Sequence, residues 1–226
     1  MTPETALVQL TALAQPAKAA EMAAYHKAPR VYLGLSNPQI DALAREWRAD
    51  GTLDDRLALA AGLWASDVHE ARIAAAKLLT QARIRPDDAG AWALIAAWVP
   101  DLDGMALADA VAVAGQKRLV ADPARLEQVA GWVASPHPWT RRAALALTLP
   151  WAKLTHPRPD DLAQRDRVLG WAAELAGDPA RIVQKALAEW LYALSKRDGA
   201  QVRHFLEAHG ERMKPFARKD AARLLR

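Results

Sequence analysis

The stretch that decides the fold reads SPHPWTRRAALAL and spans residues 135–147. Two prolines lie in a short turn, a tryptophan and two adjacent arginines follow, and the stretch continues with alanine and leucine. Proline at a first helical position and a run of good helix formers predict a helix that begins directly after the turn. We interpret the stretch as the turn between two helices together with the first three turns of the second helix.

The same order of residues recurs at two other places in the chain. Residues 66–76 read SDVHEARIAAA and residues 178–187 read DPARIVQKAL, so each turn is again followed by a basic residue and alanines. Aligning Ala75, Ala143 and Ala186 gives separations of 68 and 43 residues, and the longer one leaves room for a further copy near Asp109. A period of roughly 34 to 45 residues built from helix pairs is typical of HEAT or armadillo repeats. The sequence therefore predicts an all-α, right-handed superhelix of about six helix pairs.

Helical periodicity continues through nearly all of the remaining sequence, and almost no segment alternates as a strand would. Asn37-Pro38 and Asp122-Pro123 are typical helix starts. The pattern predicts unbroken helices over residues 68–83, from the 135–147 stretch to about Lys153, and over residues 212–225. No linker rich in proline, glycine or serine divides the chain, so we expect one domain over residues 1–226.

Composition excludes several classes of site. The chain has no cysteine, which rules out disulfides, iron–sulfur clusters and cysteine zinc sites. Its six histidines are scattered, and His204 and His209 lie five residues apart, which is not the spacing of a helical zinc motif. We therefore expect neither a metal nor a cofactor. The longest apolar run, residues 91–99, is too short to span a bilayer, and no secretory signal is visible, so we expect a cytoplasmic protein without a membrane partner.

The charge pattern permits a nucleic-acid partner. Thirty basic residues face 26 acidic ones, a net charge of +4, and residues 212–226 contain six basic residues and one acid. In a helical repeat array, equivalent positions line up along one concave surface. The basic residues expected there are Arg72, Arg141 or Arg142, Lys185, and Arg218 or Lys219. They would form a positive track for a phosphate backbone; the alternatives are unrelated surface charges and, at the carboxyl end, a solvated helix terminus.

Asp109 is the one acid in an otherwise apolar run from Met105 to Ala114. A buried carboxylate without a partner is costly, so this side chain must face either solvent or a functional site. Sequence alone leaves a plain surface acid and a site carboxylate both open.

Several of these segments resemble the AlkD-type DNA alkylation repair proteins. The amino-terminal order AEMAAYHK at residues 20–27, followed by YLGLSNP at residues 32–38, is similar to the family's opening signature. Leu63-Trp64 followed by Glu70-Ala71-Arg72, then the segments at residues 139–144, 183–187 and 218–221, match the family in order and spacing. The resemblance covers about residues 17–225.

The resemblance implies a HEAT-like protein that holds duplex DNA in a basic groove. Catalytic members of the family release N3- and N7-alkylated purines by hydrolysing the N-glycosidic bond, without inserting the base into a pocket. One carboxylate flanked by aromatic rings stabilises the sugar cation that develops as the base departs.

The resemblance also assigns roles to single positions. The family's catalytic aspartate falls on Asp109, and the arginine that grips the backbone beside the lesion falls on Arg142. The two aromatic walls fall on Met105 and Glu189, and the second backbone arginine falls on Tyr192. Here the carboxylate and one anchor are kept, whereas both walls and the other anchor are changed.

Trp190 lies one position beyond the second wall, and a shift of one residue turns a helical side chain by about 100°. We therefore expect Trp190 to pack in the core. DNA contacts are expected from Arg142, Arg141, Trp139, Arg72, Lys185, Arg218 and Lys219.

Three functions remain open from the sequence. The first is an alkylpurine DNA glycosylase with a rebuilt site, and the second is a binder of damaged or branched DNA that cuts no bond. The third is a protein-binding helical scaffold. For the first two we expect a monomer that binds double-stranded DNA, possibly alkylated, at the nucleoid of a bacterial-type cell.

Overall fold

The computed structural model describes residues 1–225, and in this part of the chain it contains fourteen α-helices and no β-strand. The only extended pairing within residues 1–225 is an isolated parallel bridge between Val31 and Val68. The all-helical repeat class predicted from the sequence is therefore confirmed. In residues 1–225 we find no helix with the length and apolar character needed to cross a bilayer.

The helices group into two compact units, and the first unit ends at Ala121. Its helices are α1 (Pro3–Ala12), α2 (Pro16–His26), α3 (Asn37–Ala49), α4 (Leu53–Ala65), α5 (His69–Leu78), α6 (Ala89–Trp98) and α7 (Met105–Ala121). Helix α5 packs between α3 and α7, and α4 packs against α1, α5 and α6. The unit thus has two layers, with α3, α5 and α7 in one and α1, α4 and α6 in the other.

The second unit begins at Asp122. Its helices are α8 (Leu126–Val133), α9 (Pro138–Leu147), α10 (Leu149–Lys153), α11 (Pro159–Glu174), α12 (Arg181–Ser195), α13 (Gly199–His209) and α14 (Pro215–Ala221). Helix α12 packs between α9 and α14, while α8, α11 and α13 form the other layer. We call α3, α5 and α7 the site layer of the first unit, and α9, α12 and α14 the site layer of the second unit.

Alanine lets the helices of the site layer approach closely. In α5, Ala71, Ala74, Ala75 and Ala76 are all completely buried. An alanine at the contact leaves no long side chain between two helix backbones, and it loses no side-chain entropy on burial. The alanine run that suggested the repeat is thus the surface on which α5 meets its neighbours.

Trp190 lies in the core of the second unit, as expected from the sequence. Its side chain is fully buried, and its indole Nε1 donates a hydrogen bond to the carbonyl oxygen of Thr148 at 3.3 Å. Burying a side chain of this size stabilises a fold by about 2–3 kcal/mol.

Thr148 marks a break that the sequence interpretation missed, since the helix expected to run to Lys153 is divided there into α9 and α10. Pro150 has no N–H to donate to the carbonyl four residues earlier. The Thr148 hydroxyl donates to the carbonyl oxygens of Ala144 at 2.8 Å and Leu145 at 3.0 Å. This hydroxyl therefore serves the last turn of α9 and does not replace the bond that Pro150 cannot donate to the carbonyl of Ala146.

Two other helices are shorter than predicted. Helix α5 ends at Leu78 rather than at residue 83, and the fully buried Arg118 donates to the carbonyl oxygens of Gln81 and Ala82 beyond that end. The last helix spans Pro215–Ala221 rather than residues 212–225. Arg226, the last basic residue of the closing segment, lies outside the described residues.

Candidate nucleic-acid interface

The amino-terminal signature at residues 32–38 forms a loop that is fixed by Glu70. This fully buried carboxylate accepts hydrogen bonds from the backbone N–H groups of Leu33, Gly34 and Leu35, at distances of 2.7 to 3.3 Å. Gly34 has φ +81°, and a Cβ added there would lie 2.4 Å from the carbonyl oxygen of Gln15. Only glycine fits this position. The loop fixed in this way leads directly into α3, which begins at Asn37.

A cluster of three rings lies beside this loop. The His69 ring centroid lies 4.6 Å from that of His26 and 4.8 Å from that of Tyr32. His69 is 3 % exposed, and neither of its ring nitrogens has a hydrogen-bond partner in the described chain. Burial, with smaller contributions from His26 and Arg30, lowers the pKa of His69 to about 3. The imidazole is therefore neutral at pH 7 and acts as a packing group.

Helix α7 carries Asp109 on an accessible face. Asp109 is exposed, whereas Leu107, Ala108, Val111 and Ala112 around it are buried. Met105 begins the helix four residues earlier, which places it one turn away on the same side as Asp109. Asp109 is therefore not a core residue, and the side of α7 that carries it is available to a ligand.

Asp109 lines an open cavity of about 630 Å³ within the first unit. Across the cavity, the Lys77 ammonium on α5 lies 2.7 Å from a carboxylate oxygen of Asp41 on α3. The other lining residues are Asn37, Ile73, Thr80, Ala106, Ala110 and Val113. The cavity thus combines polar groups from three helices of the site layer with four aliphatic side chains.

Arg72 and Arg141 occupy equivalent places at the starts of α5 and α9, and both close the turn that precedes their helix. Arg72 donates from Nε to the carbonyl oxygen of Trp64 at 2.9 Å and pairs with Asp67 at 3.3 Å. Arg141 donates to the carbonyl oxygens of Ser135 and Pro136 at 2.8 and 3.0 Å.

Arg141 also forms a two-point ion pair with Asp178 on the turn before α12, at 2.6 and 3.2 Å. The Asp178 side chain is 5 % exposed. Such a bidentate pair between fixed, poorly hydrated groups is a structural contact. The guanidinium groups of Arg72 and Arg141, which the sequence predicts to face DNA, therefore form contacts within the protein. DNA binding by these two residues stays a prediction.

The neighbouring residues of α9 differ from one another in accessibility. Arg142 is 4 % exposed, the least accessible of the predicted DNA-binding cations, and Trp139 is half-buried at the first turn of the helix. The anchor role that the resemblance gives to Arg142 thus falls on a guanidinium set into the protein surface.

One face of α12 projects from the second unit. Lys185 and Glu189 are exposed and Tyr192 is half-exposed, at spacings of four and three residues that place them on one side of the helix. Lys196, also exposed, continues this row, which we call the α12 face. It is bounded by the buried residues Ala186, Ala188 and Ala193. The three predicted positions on α12 are therefore brought together.

Helix α14 supplies the last predicted cations. Arg218 and Lys219 are both exposed, and Arg218 pairs with Glu211 at 2.5 Å. Lys219 is the freer of the two groups for a ligand.

Two features of the site were not foreseen from the sequence. Asp41 and Lys77 are 36 residues apart, and nothing in either local pattern marks them as partners. Lys196 and Arg223 both approach the Tyr192 ring, although only the excess of basic residues near the carboxyl end hinted at such a cluster. No group of three or more metal-ligating side chains occurs within residues 1–225.

The fold and these surfaces together define a helical-repeat protein that presents an exposed carboxylate in one unit and a helix face with two exposed lysines in the other. The family model for DNA alkylation repair enzymes matches residues 6–225. The chain therefore belongs to the DNA alkylation repair enzyme family, as the resemblance indicated.

Three solved structures share the fold of this chain. A predicted DNA alkylation repair enzyme from Enterococcus faecalis is 19 % identical, with a TM-score of 0.79 over 94 % of this chain and 96 % of that one. AlkD2 from Streptococcus mutans is 19 % identical, with a TM-score of 0.61 over 84 % of this chain and 88 % of that one. The protein smu.31 from Streptococcus mutans UA159 is 20 % identical, with a TM-score of 0.64 over 82 % and 90 %. No curated protein sequence matches the chain.

Proposed function

We propose that the protein binds double-stranded DNA and releases N3- or N7-alkylated purines from it by hydrolysing the N-glycosidic bond. The observation that carries this proposal is the position of Asp109: an exposed carboxylate on the site layer, beside a polar cavity, in a chain of the DNA alkylation repair family. The protein acts as a monomer at the nucleoid of a bacterial-type cytoplasm and uses no metal or cofactor.

The chemistry asks little of the protein besides a well-placed negative charge. An alkylated purine is cationic, so when the bond between the sugar C1′ and the base nitrogen breaks, its electron pair leaves with a neutral base. The ionised Asp109 carboxylate stabilises the positive charge that develops on the sugar. A water molecule then forms the new C1′–O bond, and Asp109 accepts its proton.

The cavity beside Asp109 suits this role. Lys77 and Asp41 neutralise each other across α3 and α5, so the pair adds hydrogen-bonding groups to the cavity without a large net charge. Because Lys77 is paired with Asp41, it repels a positively charged sugar beside Asp109 less than an unpaired ammonium would.

Mutation of Asp109 tests the proposal. Asp109→Asn keeps the side-chain shape and removes its charge, so base release from duplex DNA containing 7-methylguanine or 3-methyladenine should fall by about 10²- to 10³-fold. Affinity for the same duplex should stay nearly unchanged. Asp54→Asn, at an exposed acid on α4, is the matched control and should leave both quantities unaltered.

A second candidate function is binding of damaged or branched DNA without bond cleavage. It is favoured by the two wall positions, where Met105 is not aromatic and Glu189 is an exposed acid. The double variant Met105→Trp, Glu189→Trp should raise base release if aromatic walls are what the site lacks. Binding of the duplex with no release by wild type or by the double variant would leave this second function in place of the first.

A further inference from the structure

Two cations converge on a single tyrosine at the carboxyl end of the α12 face. The Arg223 guanidinium carbon lies 4.1 Å from the centroid of the Tyr192 ring, and the Lys196 ammonium nitrogen lies 4.5 Å from it. Lys196 directly follows the last residue of α12, and Arg223 follows α14. The cluster therefore joins two helices of the site layer in the second unit.

Neither cation has an acidic partner within ion-pair distance in the described chain. The ion pairs within the described part of the second unit involve other residues, and Arg218 on α14 already pairs with Glu211. The acids nearest in sequence are Glu189, Asp198 and Asp220, and none of them forms an ion pair with the cluster. The Asp198 carboxylate instead accepts a hydrogen bond from the backbone N–H of Gln201 at 2.9 Å. Two like charges drawn to one ring repel each other, so the arrangement favours an anion placed between them.

The phenol takes part in the cluster. Hydrogen bonding to Arg223, with weaker effects of the positive charges of Arg223 and Lys196, lowers the pKa of Tyr192. A tyrosine hydroxyl can donate a hydrogen bond to an anion. Arginine, lysine and a tyrosine hydroxyl are the groups that commonly contact the phosphate oxygens of DNA.

We propose that Tyr192, Lys196 and Arg223 form a phosphodiester-binding site that anchors the DNA backbone on the second unit. The assignment rests on the proposed function for the identity of the ligand, because the same donors would accept free phosphate. It adds Lys196 and Arg223 to the DNA-binding residues. It also gives Tyr192 a role as the ring that holds both cations in place.

The test uses the affinity for a fluorescently labelled undamaged duplex, measured between 50 and 200 mM salt. Arg223→Gln and Lys196→Gln should each weaken binding by about fivefold to tenfold and reduce the slope of log K against log salt by about 0.9, the loss of one phosphate contact. Arg203→Gln, at an exposed arginine on α13, is the matched control and should change neither quantity. Thermal unfolding should be the same for all three variants.

Rescue distinguishes a phosphate contact from an indirect effect. In the Arg223→Gln protein, Tyr192→Arg places a guanidinium on the α12 face and should recover most of the lost affinity and slope. Tyr192→Phe retains the ring, so it should keep most of the affinity and lose only the hydroxyl contribution.

Failure of the site and failure of the proposed function give different results. If wild type binds duplex and both glutamine variants match Arg203→Gln, the site is overturned while DNA binding stands. If wild type does not bind duplex, the experiment is repeated with inorganic phosphate. The pKa of Tyr192 is measured from the phenol absorbance, with Tyr192→Phe as the reference. Bound phosphate should raise this pKa in wild type but not in Arg223→Gln. A shift would establish a free-phosphate site and overturn the phosphodiester assignment, and its absence would overturn both.

Discussion

Arg141 and Arg223 belong to the same unit and carry the same charge, but the structure uses them differently. Arg141 donates to two backbone carbonyls and forms a bidentate pair with the buried Asp178. Arg223 lies against the Tyr192 ring and forms no ion pair in the described chain. A basic residue at a repeat position can therefore form all of its contacts with the neighbouring turns of the protein. The charges available to DNA are those that the fold leaves without a carboxylate.

The largest effect of turning a charge inward should appear at Glu70, a fully buried carboxylate. Glu70→Ala removes the acceptor for three buried N–H groups of residues 33–35. We expect the free energy of unfolding to fall by about 4 kcal/mol in denaturant titration, because unsatisfied buried donors are costly. Glu207→Ala, at an exposed acid on α13, should change it by less than about 0.5 kcal/mol. Equal effects of the two substitutions would remove the distinction between inward and outward charges.

Arg141→Ala should follow, with a loss of about 3 kcal/mol in the free energy of unfolding. The substitution leaves the Asp178 carboxylate buried without its guanidinium partner. Its effect on the salt dependence of DNA binding should be small once the folded fraction is corrected for. A large change in the salt slope with unchanged stability would instead place Arg141 on the DNA.

His69 should make the stability of the protein depend on pH. Its pKa is about 3 in the folded protein and near 6.5 in the unfolded chain, so the unfolded chain binds the proton more tightly. Stability is therefore fully present above about pH 6.5 and is lost as the pH falls toward 3, by about 2 kcal/mol at pH 5. His69→Phe should abolish most of this loss, whereas His156→Phe, at an exposed histidine, should retain it. A flat profile for wild type between pH 7 and 5 would contradict the neutral, buried imidazole.

The smallest effect is expected at Lys185, a cation on the outward α12 face. Lys185→Gln should leave the free energy of unfolding within about 0.5 kcal/mol of wild type and weaken duplex binding severalfold, with a salt slope lower by about 0.9. The comparison with Arg141→Ala is then reciprocal, since one variant loses stability and the other loses DNA affinity. Unchanged affinity would mean that the α12 face does not contact DNA.

Local signals in the sequence were sufficient for most of the fold. Asn37 begins α3 and is followed by a proline, as predicted, and the alanines that marked the repeat are buried where α5 packs. The break at Thr148 was missed because the alanine and leucine pattern continues across it. The interruption coincides with Pro150, which has no N–H to donate, and with the Thr148 hydroxyl, which bonds back to the last turn of α9.

The candidate site was harder to predict, because its side chains choose partners that are distant in the sequence. The turn–basic–alanine pattern located Arg72 and Arg141 at equivalent positions but could not show that both guanidinium groups turn back onto the chain. Asp178 lies 37 residues after Arg141, and Arg223 lies 31 residues after Tyr192. Contacts at such separations are set by the way the helices pack, and residue spacing along one helix does not reveal that packing.

The central claim is that the exposed cations of the site layer bind the phosphate backbone of duplex DNA. The most direct test is the affinity of the wild-type protein for an undamaged duplex at 50 and 200 mM salt. If about six phosphates are engaged, affinity should fall by on the order of 10³ over this range, because each neutralised phosphate releases condensed counterions. Equal affinity at the two salt concentrations, or no binding at either, would contradict the account.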